Sequence, residues 1–265
     1  LAALTRFTAL CGFRPVEETA MLFRKTGIRE LLPAVTALES TGDYRLLLEH
    51  IWSSDRTTET AILEQLSLLV SDTPEIPVSE AEKHPFAAVQ HLVSEYGGDI
   101  GVLAPLYLNT VTLEPGEALF LPAGILHSYI QGTGLELMAN SDNVLRGGLT
   151  SKYIDIPEVL SAIIPHAHTP ARLIPVRTAS YSVYPTPAKE FELSILEPDC
   201  GNIELDITTP SIMVILYDDI TISGTSGTQT AIPRGASLFL PAYAGSVTIS
   251  GTGTVYLASV PENAA

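Results

Sequence analysis

His127 is the side chain in this sequence best placed for chemistry. It follows the apolar run Ala118 to Leu121 and the turn Pro122-Ala-Gly124, and it opens a second run, Ser128 to Gln131. Gly and Pro supply the backbone angles that a turn between antiparallel strands requires. An imidazole beside such a turn can point into the interior of a β-structure and ligate a metal, although a lone histidine is also commonly a packed residue. Tyr129 lies two positions further along the same strand and therefore on the same face. It reads equally as a pocket-lining or a packed side chain. Arg146 and Lys152 fall in the glycine-bearing stretch Ser141 to Asp155, which has little regular pattern. Loops held by a β-scaffold are where chemistry concentrates, but by residue type alone these two cations also read as surface charges.

The other chemistry-bearing residues read as structural. His50, His84 and His91 fall in segments of helical period; His91 and Glu95 form a surface i, i+4 pair. His166-Ala-His168, between Pro165 and Pro170, reads as a solvated linker. Cys11 and Cys200 have no metal-knuckle or redox spacing, and read as reduced thiols of a cytoplasmic protein.

Composition bounds the functions open to these residues. With 265 residues, the chain suits about two domains on the prior of about 150 residues each. A hydrophobic share of 46% with 17% charged residues indicates packed cores rather than disorder. The net charge of −16 argues against nucleic acid and anionic membranes as partners. An anionic small molecule stays possible where a few cations gather. No apolar run reaches the roughly 18 residues of a membrane span, and no signal peptide is visible.

The elements that must position these residues follow from periodicity. Thr5 to Phe13 reads as a strand. Glu17 to Thr26, Ile28 to Leu38, Asp43 to Ser53, Thr57 to Val70 and Phe86 to Tyr96 carry helical spacing, while Asp72 to Ser79 reads as a loop. After Gly97-Gly98 the period becomes two. Tyr107 to Leu113, Ala118 to Leu121, Ser128 to Gln131 and Leu135 to Asn140 are expected as short strands, with one helix over Glu158 to Ile164. The second half then repeats the first. Gly235, Phe239 and Pro241 answer Gly116, Phe120 and Pro122 at one constant offset, and Gly251-Thr-Gly253 answers Gly132-Thr-Gly134. At that offset Ser246 stands where His127 stands, so the second copy keeps the strand–turn scaffold without the histidine.

Gly116, Pro122, Gly124 and His127 together resemble the second signature motif of the cupins, small antiparallel barrels whose histidine binds a metal. A longer match is more specific. Pro115-Gly-Glu-Ala, His127-Ser-Tyr129-Ile-Gln-Gly and the run Met138 to Asp155 resemble the type I mannose-6-phosphate isomerases, as does Leu4 to Pro15. The resemblance implies a mainly β fold with a helical domain: two tandem cupin-type (jelly-roll) β-barrels, the first incomplete, with an all-α insertion. The expected division is a strand of the first barrel over 1–15 and a helical domain over 16–97. The metal-site part of the first barrel then covers 98–165, and a second barrel without the metal histidine covers 166–265.

The implied activity is interconversion of mannose 6-phosphate and fructose 6-phosphate through a zinc-assisted enediol. His127 would be a zinc ligand, Arg146 catalytic, Lys152 near the substrate phosphate, and Tyr129 substrate-lining. Zinc and a guanidinium can stabilise charge that develops on the two oxygens, and a phosphate dianion in so acidic a protein needs a local cation. In that family further zinc ligands, a Gln-x-His pair and a Glu, lie upstream of the segment that matches Leu1. The expectation is therefore an inactive fragment with an incomplete zinc site. Its open strand edges would pair with a separate N-terminal piece or with another copy. The alternative is a non-catalytic bicupin that binds sugar or serves structurally; an iron oxygenase would need an HxH ahead of the barrel strands.

Overall fold

A computed structural model describes residues 1–141, 144–198 and 201–261. The chain starts with strands β1 (Ala2–Ala3) and β2 (Phe7–Phe13) and then leaves for the helices α1 (Val16–Thr26), α2 (Leu32–Thr41), α3 (Tyr44–Trp52), α4 (Arg56–Ser71), α5 (Pro85–Tyr96) and α6 (Ala104–Tyr107). It returns through β3 (Leu108–Leu113), β4 (Ala118–Leu119), β5 (His127–Gln131) and β6 (Gly134–Leu135), followed by α7 (Ile156–Ala162) and β7 (Arg172–Leu173). The remaining strands are β8 (Val176–Arg177), β9 (Ser182–Val183), β10 (Glu192–Leu196), β11 (Ile203–Ile207), β12 (Ser211–Leu216), β13 (Ile220–Gly224), β14 (Gln229–Ile232), β15 (Ser237–Leu240), β16 (Gly245–Gly251) and β17 (Thr254–Ser259).

Local chemistry sets the helix limits. The Asp43 and Asp55 carboxylates accept backbone N–H groups at the starts of α3 and α4, satisfying donors that a first turn leaves unpaired. At the end of α2, Gly42 takes φ 70°, a left-handed cap that costs glycine least. Buried aliphatic side chains of α1 to α5, with Tyr44, Leu10 and Phe13, form one core that joins the helices to β2. Two contacts fix that joint. Tyr44 stacks on Phe13 with ring centroids 4.2 Å apart, and its hydroxyl donates to the Arg14 carbonyl at 2.6 Å. The buried Arg14 guanidinium donates to the Pro105 carbonyl, Thr110 and Glu18. Burial lowers its pKa, opposed by the Glu18 charge. Arg14 is thus a cation whose partners lie on the returning strand, on the approach to it, and on the first helix.

All the sheets are antiparallel. In the N-terminal half, a three-stranded sheet (β3-β2-β5) and a four-stranded sheet (β6-β1-β4-β7) share a small core of Phe7, Ala9, Cys11, Leu113, Leu119 and Ile125. In the C-terminal half, a six-stranded sheet (β15-β12-β17-β10-β9-β8) faces a four-stranded sheet (β11-β16-β13-β14) across a core of Ile, Leu, Val and Met. The halves pack through Ala2, Ala118, Tyr184, Ile195 and Tyr256, and the Tyr184 hydroxyl donates to the Gly116 carbonyl at 2.8 Å.

Three local expectations are corrected. The strand expected over Leu135 to Asn140 is only Gly134–Leu135, because its partner β1 offers two residues to pair. The run from Ala118 ends at Leu119 rather than Leu121. The segment around His166 and His168 is not a free linker: the His168 N–H donates to the Phe13 carbonyl at 2.9 Å, and Asn109 Nδ2 donates to the His168 carbonyl at 2.8 Å. The His166 side chain itself is exposed.

Candidate active site

Strand β5 is an edge of its sheet among the described residues, pairing with β2 on one side. His127 stands opposite Cys11 and Tyr129 opposite Ala9. Directly opposed residues of an antiparallel pair share a face, so both rings lie on the face that carries Cys11 and Ala9 into the small core. Cys11 and Ala9 are buried, whereas His127 and Tyr129 are exposed. The inward face of the sheet therefore opens at β5, and there it carries the imidazole and the phenol, whose ring centroids lie 5.7 Å apart.

The Pro122-Ala-Gly124 turn aims this strand. Gly124 has φ +83°, and a Cβ there would meet the Ala162 carbonyl oxygen at 3.0 Å, so the turn is closed against the end of α7 by a residue without a side chain. His127 Nδ1 contacts the Ile125 carbonyl oxygen at 2.9 Å. A carbonyl can only accept, so Nδ1 is the donor here and Nε2 is the ring nitrogen left for another partner. This is how metal-ligating histidines are held.

Tyr129 is fixed on two sides. Its ring meets Phe7 edge-on at 5.4 Å, and its hydroxyl donates to Glu136 Oε1 at 2.5 Å. Burial raises its pKa, and the hydrogen bond to Glu136 and that carboxylate's charge raise it further. The phenol stays neutral at ordinary pH and holds its proton toward the carboxylate. Sequence reading missed Glu136 because it assigned the residue to a strand interior. Its signal would have been a carboxylate just past the Gly132-Thr-Gly134 turn that returns the chain beside Tyr129.

Arg146 and Lys152 lie in the irregular segment, which packs against the helices. A Cβ on Gly147 would touch the Trp52 ring at 3.1 Å and Leu126 Cδ1 at 3.2 Å, and Leu149 lies against Gly101. Gly147, next to Arg146, thus packs on the side chain of Leu126, which is next to His127. Arg146 is half-buried and Lys152 exposed. Among the described residues, no hydrogen bond or ion pair engages the guanidinium of Arg146 or the ammonium of Lys152. The structure thus brings His127, Tyr129 and Glu136 together, while Arg146 and Lys152 lie in the irregular segment with no hydrogen bond, ion pair or ring contact to these three among the described residues. Part of the connecting stretch, Asp142 and Asn143, lies outside the described residues. At the aligned position of the second half, Ser246 sits opposite Asp206 and is exposed, while its neighbours Val247 and Ile249 fill the core.

An antiparallel β-protein in two units, with a helical insertion and a histidine on an open inner sheet face, is the class that this geometry defines. Comparison with known proteins specifies it. The chain is 33% identical over 264 residues to mannose-6-phosphate isomerase of Homo sapiens, covering 91% of this chain and 62% of that protein. It is 32% identical over 253 residues to mannose-6-phosphate isomerase of Escherichia coli (strain K12), covering 95% of this chain and 63% of that one. A zinc-bound mannose 6-phosphate isomerase structure superposes with a TM-score of 0.84 at 27% identity, over 98% of this chain and 64% of that chain. The Salmonella typhimurium enzyme bound to its substrate, fructose 6-phosphate, and to zinc gives a TM-score of 0.82 at 27% identity, over 98% of this chain and 65% of that chain. No protein-family model matches. The chain is a homologue of the mannose-6-phosphate isomerases, and it spans about three fifths of the length of the curated relatives it matches.

Proposed function

We propose that this chain carries the His127 side of the active site of an aldose–ketose isomerase that interconverts mannose 6-phosphate and fructose 6-phosphate. The observation that supports the reading most is its likeness to enzymes of that name along 91% of its length. The fold of the two β-units is read as two cupin-type barrels, the second without a metal histidine. The tasks of isomerisation match the side chains at the open face. The reaction moves a proton between C1 and C2 and places transient negative charge on the two oxygens. Arg146 is the guanidinium that stabilises this charge. The Tyr129 hydroxyl and the Glu136 carboxylate offer the sugar hydroxyls a donor and an acceptor, and Lys152 receives the phosphate.

Zinc would act as a Lewis acid on the substrate oxygens. Among the described residues, His127 offers one well-oriented nitrogen, and no group of three His, Cys, Asp or Glu could hold a metal. A stable site needs three or four ligands. These residues alone therefore do not fit the ion. His127 is read as one ligand of a zinc site completed from outside the described residues. The 265-residue chain by itself is expected to bind zinc weakly and not to turn over.

Calorimetric titration with fructose 6-phosphate tests the substrate assignment. Wild-type binding should weaken about tenfold or more in Lys152→Ala, as when a charge-assisted contact to phosphate is lost. Equal affinities would remove Lys152 from the site. That no three-ligand group occurs among the described residues leaves room for one second reading, a non-catalytic sugar-binding or structural protein. That reading requires no turnover under any zinc loading or chain length.

A further inference from the structure

The C-terminal unit contains a cavity of about 300 Å³ between its two sheets, away from His127. Its wall is built by strand register. Glu192 of β10, Ser259 of β17 and Ser211 of β12 are direct cross-strand neighbours in one row. Ser194 occupies the next row on the same face, opposite Leu257. That row continues to Met213, which is fully buried, so the face points inward. A sandwich interior is ordinarily apolar, and the rest of this one is. At this end alone its inner face carries three hydroxyls and a carboxylate.

Two of those hydroxyls lack partners. The Ser211 hydroxyl donates to the Thr209 carbonyl at 3.0 Å. The Ser194 and Ser259 hydroxyls and the Glu192 carboxylate have no hydrogen-bond or ion-pair partner among the described residues. Ser194 is 1% exposed and lines the cavity. Its hydroxyl opens onto the cavity, where it can donate to or accept from whatever occupies that space. Leu205 and Ile207 of the facing sheet give an apolar wall, Leu257 adds to it beside Ser194, and Tyr181 also lines the cavity.

We infer that this cavity is a binding site for a neutral monosaccharide. Cross-strand spacing of about 4.8 Å sets hydroxyls and a carboxylate at intervals suited to several hydroxyls of one small ring, while the leucines and the tyrosine cover the C–H face of the sugar. The volume stands at the small end of ligand pockets. No Lys or Arg lines the cavity, and Asp206 adds a second carboxylate to its lining. A phosphate dianion would be repelled there. The site would therefore take the unphosphorylated sugar and refuse the phosphorylated one, the reverse of the preference proposed for the His127 face.

The test is titration of the purified protein with D-mannose by calorimetry and by saturation-transfer NMR, with mannose 6-phosphate as competitor. The expected result is saturable binding in the range of roughly 1–10 mM. It should weaken tenfold or more in Ser194→Val and in Glu192→Ala, and mannose 6-phosphate should not displace it. Ser194→Ala, the gentler change, guards against misfolding of the valine variant and should still weaken binding severalfold at unchanged Tm. Absence of saturable binding, equal binding by well-folded variants, or displacement by mannose 6-phosphate would each overturn the proposal.

Discussion

At the scale of single residues, the protonation states of Tyr129 and Cys11 can be checked directly. Burial pushes the Cys11 thiol up to about 11. The thiolate is the reactive form, so in the folded protein Cys11 should resist alkylation at pH 8 and label readily once unfolded, as peptide mapping would show. Rapid native labelling of Cys11 would mean that the small core beneath His127 is open. Several tyrosines carry the opposite sign of a carboxylate switch. Burial raises Tyr44 and Tyr256 to about 12, and Tyr107, Tyr129 and Tyr184 higher still. A group that holds its proton more tightly when folded contributes stability that is fully present below its unfolded pKa, near 10. That stability is lost as pH rises through the folded value. Urea midpoints should be insensitive to these groups below pH 9 and fall steeply between pH 10 and 12. A midpoint that is flat through pH 12 would contradict the burial of these phenols.

At the scale of elements, the joint between β2 and the helices rests on Tyr44. Its hydroxyl lies 2.7 Å from Thr19 Oγ1 as well as donating to the Arg14 carbonyl. Tyr44→Phe keeps the stack on Phe13 and leaves those buried groups short of a partner, so it should cost about 1–3 kcal/mol in urea unfolding. A cost near zero would show that water replaces the hydroxyl. Most of these elements were legible in the sequence. Helices α1 and α2 end at Gly27 and Gly42, and α3 starts after Asp43, because breaks, caps and periodicity are local signals; the cap of α4 is Asp55 rather than the Thr57-Thr-Glu-Thr run. The repeated Gly-x3-Phe-x-Pro frame foretold β15 and β16 as a copy of β4 and β5. What the sequence did not disclose depends on pairing between distant segments. The strand after Gly134 is cut short by the length of β1. His168 is pinned to Phe13 and Asn109, far away in sequence. Glu136 becomes part of the candidate site only through the curl of the chain that sets it against Tyr129.

At the scale of the molecule, the open inner face at β5 and the zinc question are one problem. One histidine among the described residues cannot make the three- or four-ligand shell that zinc requires. Competition with a chromophoric chelator should show the 265-residue chain binding zinc more weakly than about 1 μM, far from the affinity of complete structural sites. A tight one-to-one site would send the ligand assignment back to other residues. No helix among the described residues is long and apolar enough to cross a membrane.

The central claim is that the His127 face belongs to a mannose-6-phosphate isomerase. The most direct measurement is zinc-supplemented turnover of mannose 6-phosphate to fructose 6-phosphate by the protein isolated at its native length, with intact mass recorded. The account predicts turnover that falls about 100-fold or more in Arg146→Ala, as expected when a group that stabilises developing charge is removed. It predicts none from the 265 residues alone. No turnover at native length, or full activity in Arg146→Ala, would contradict it.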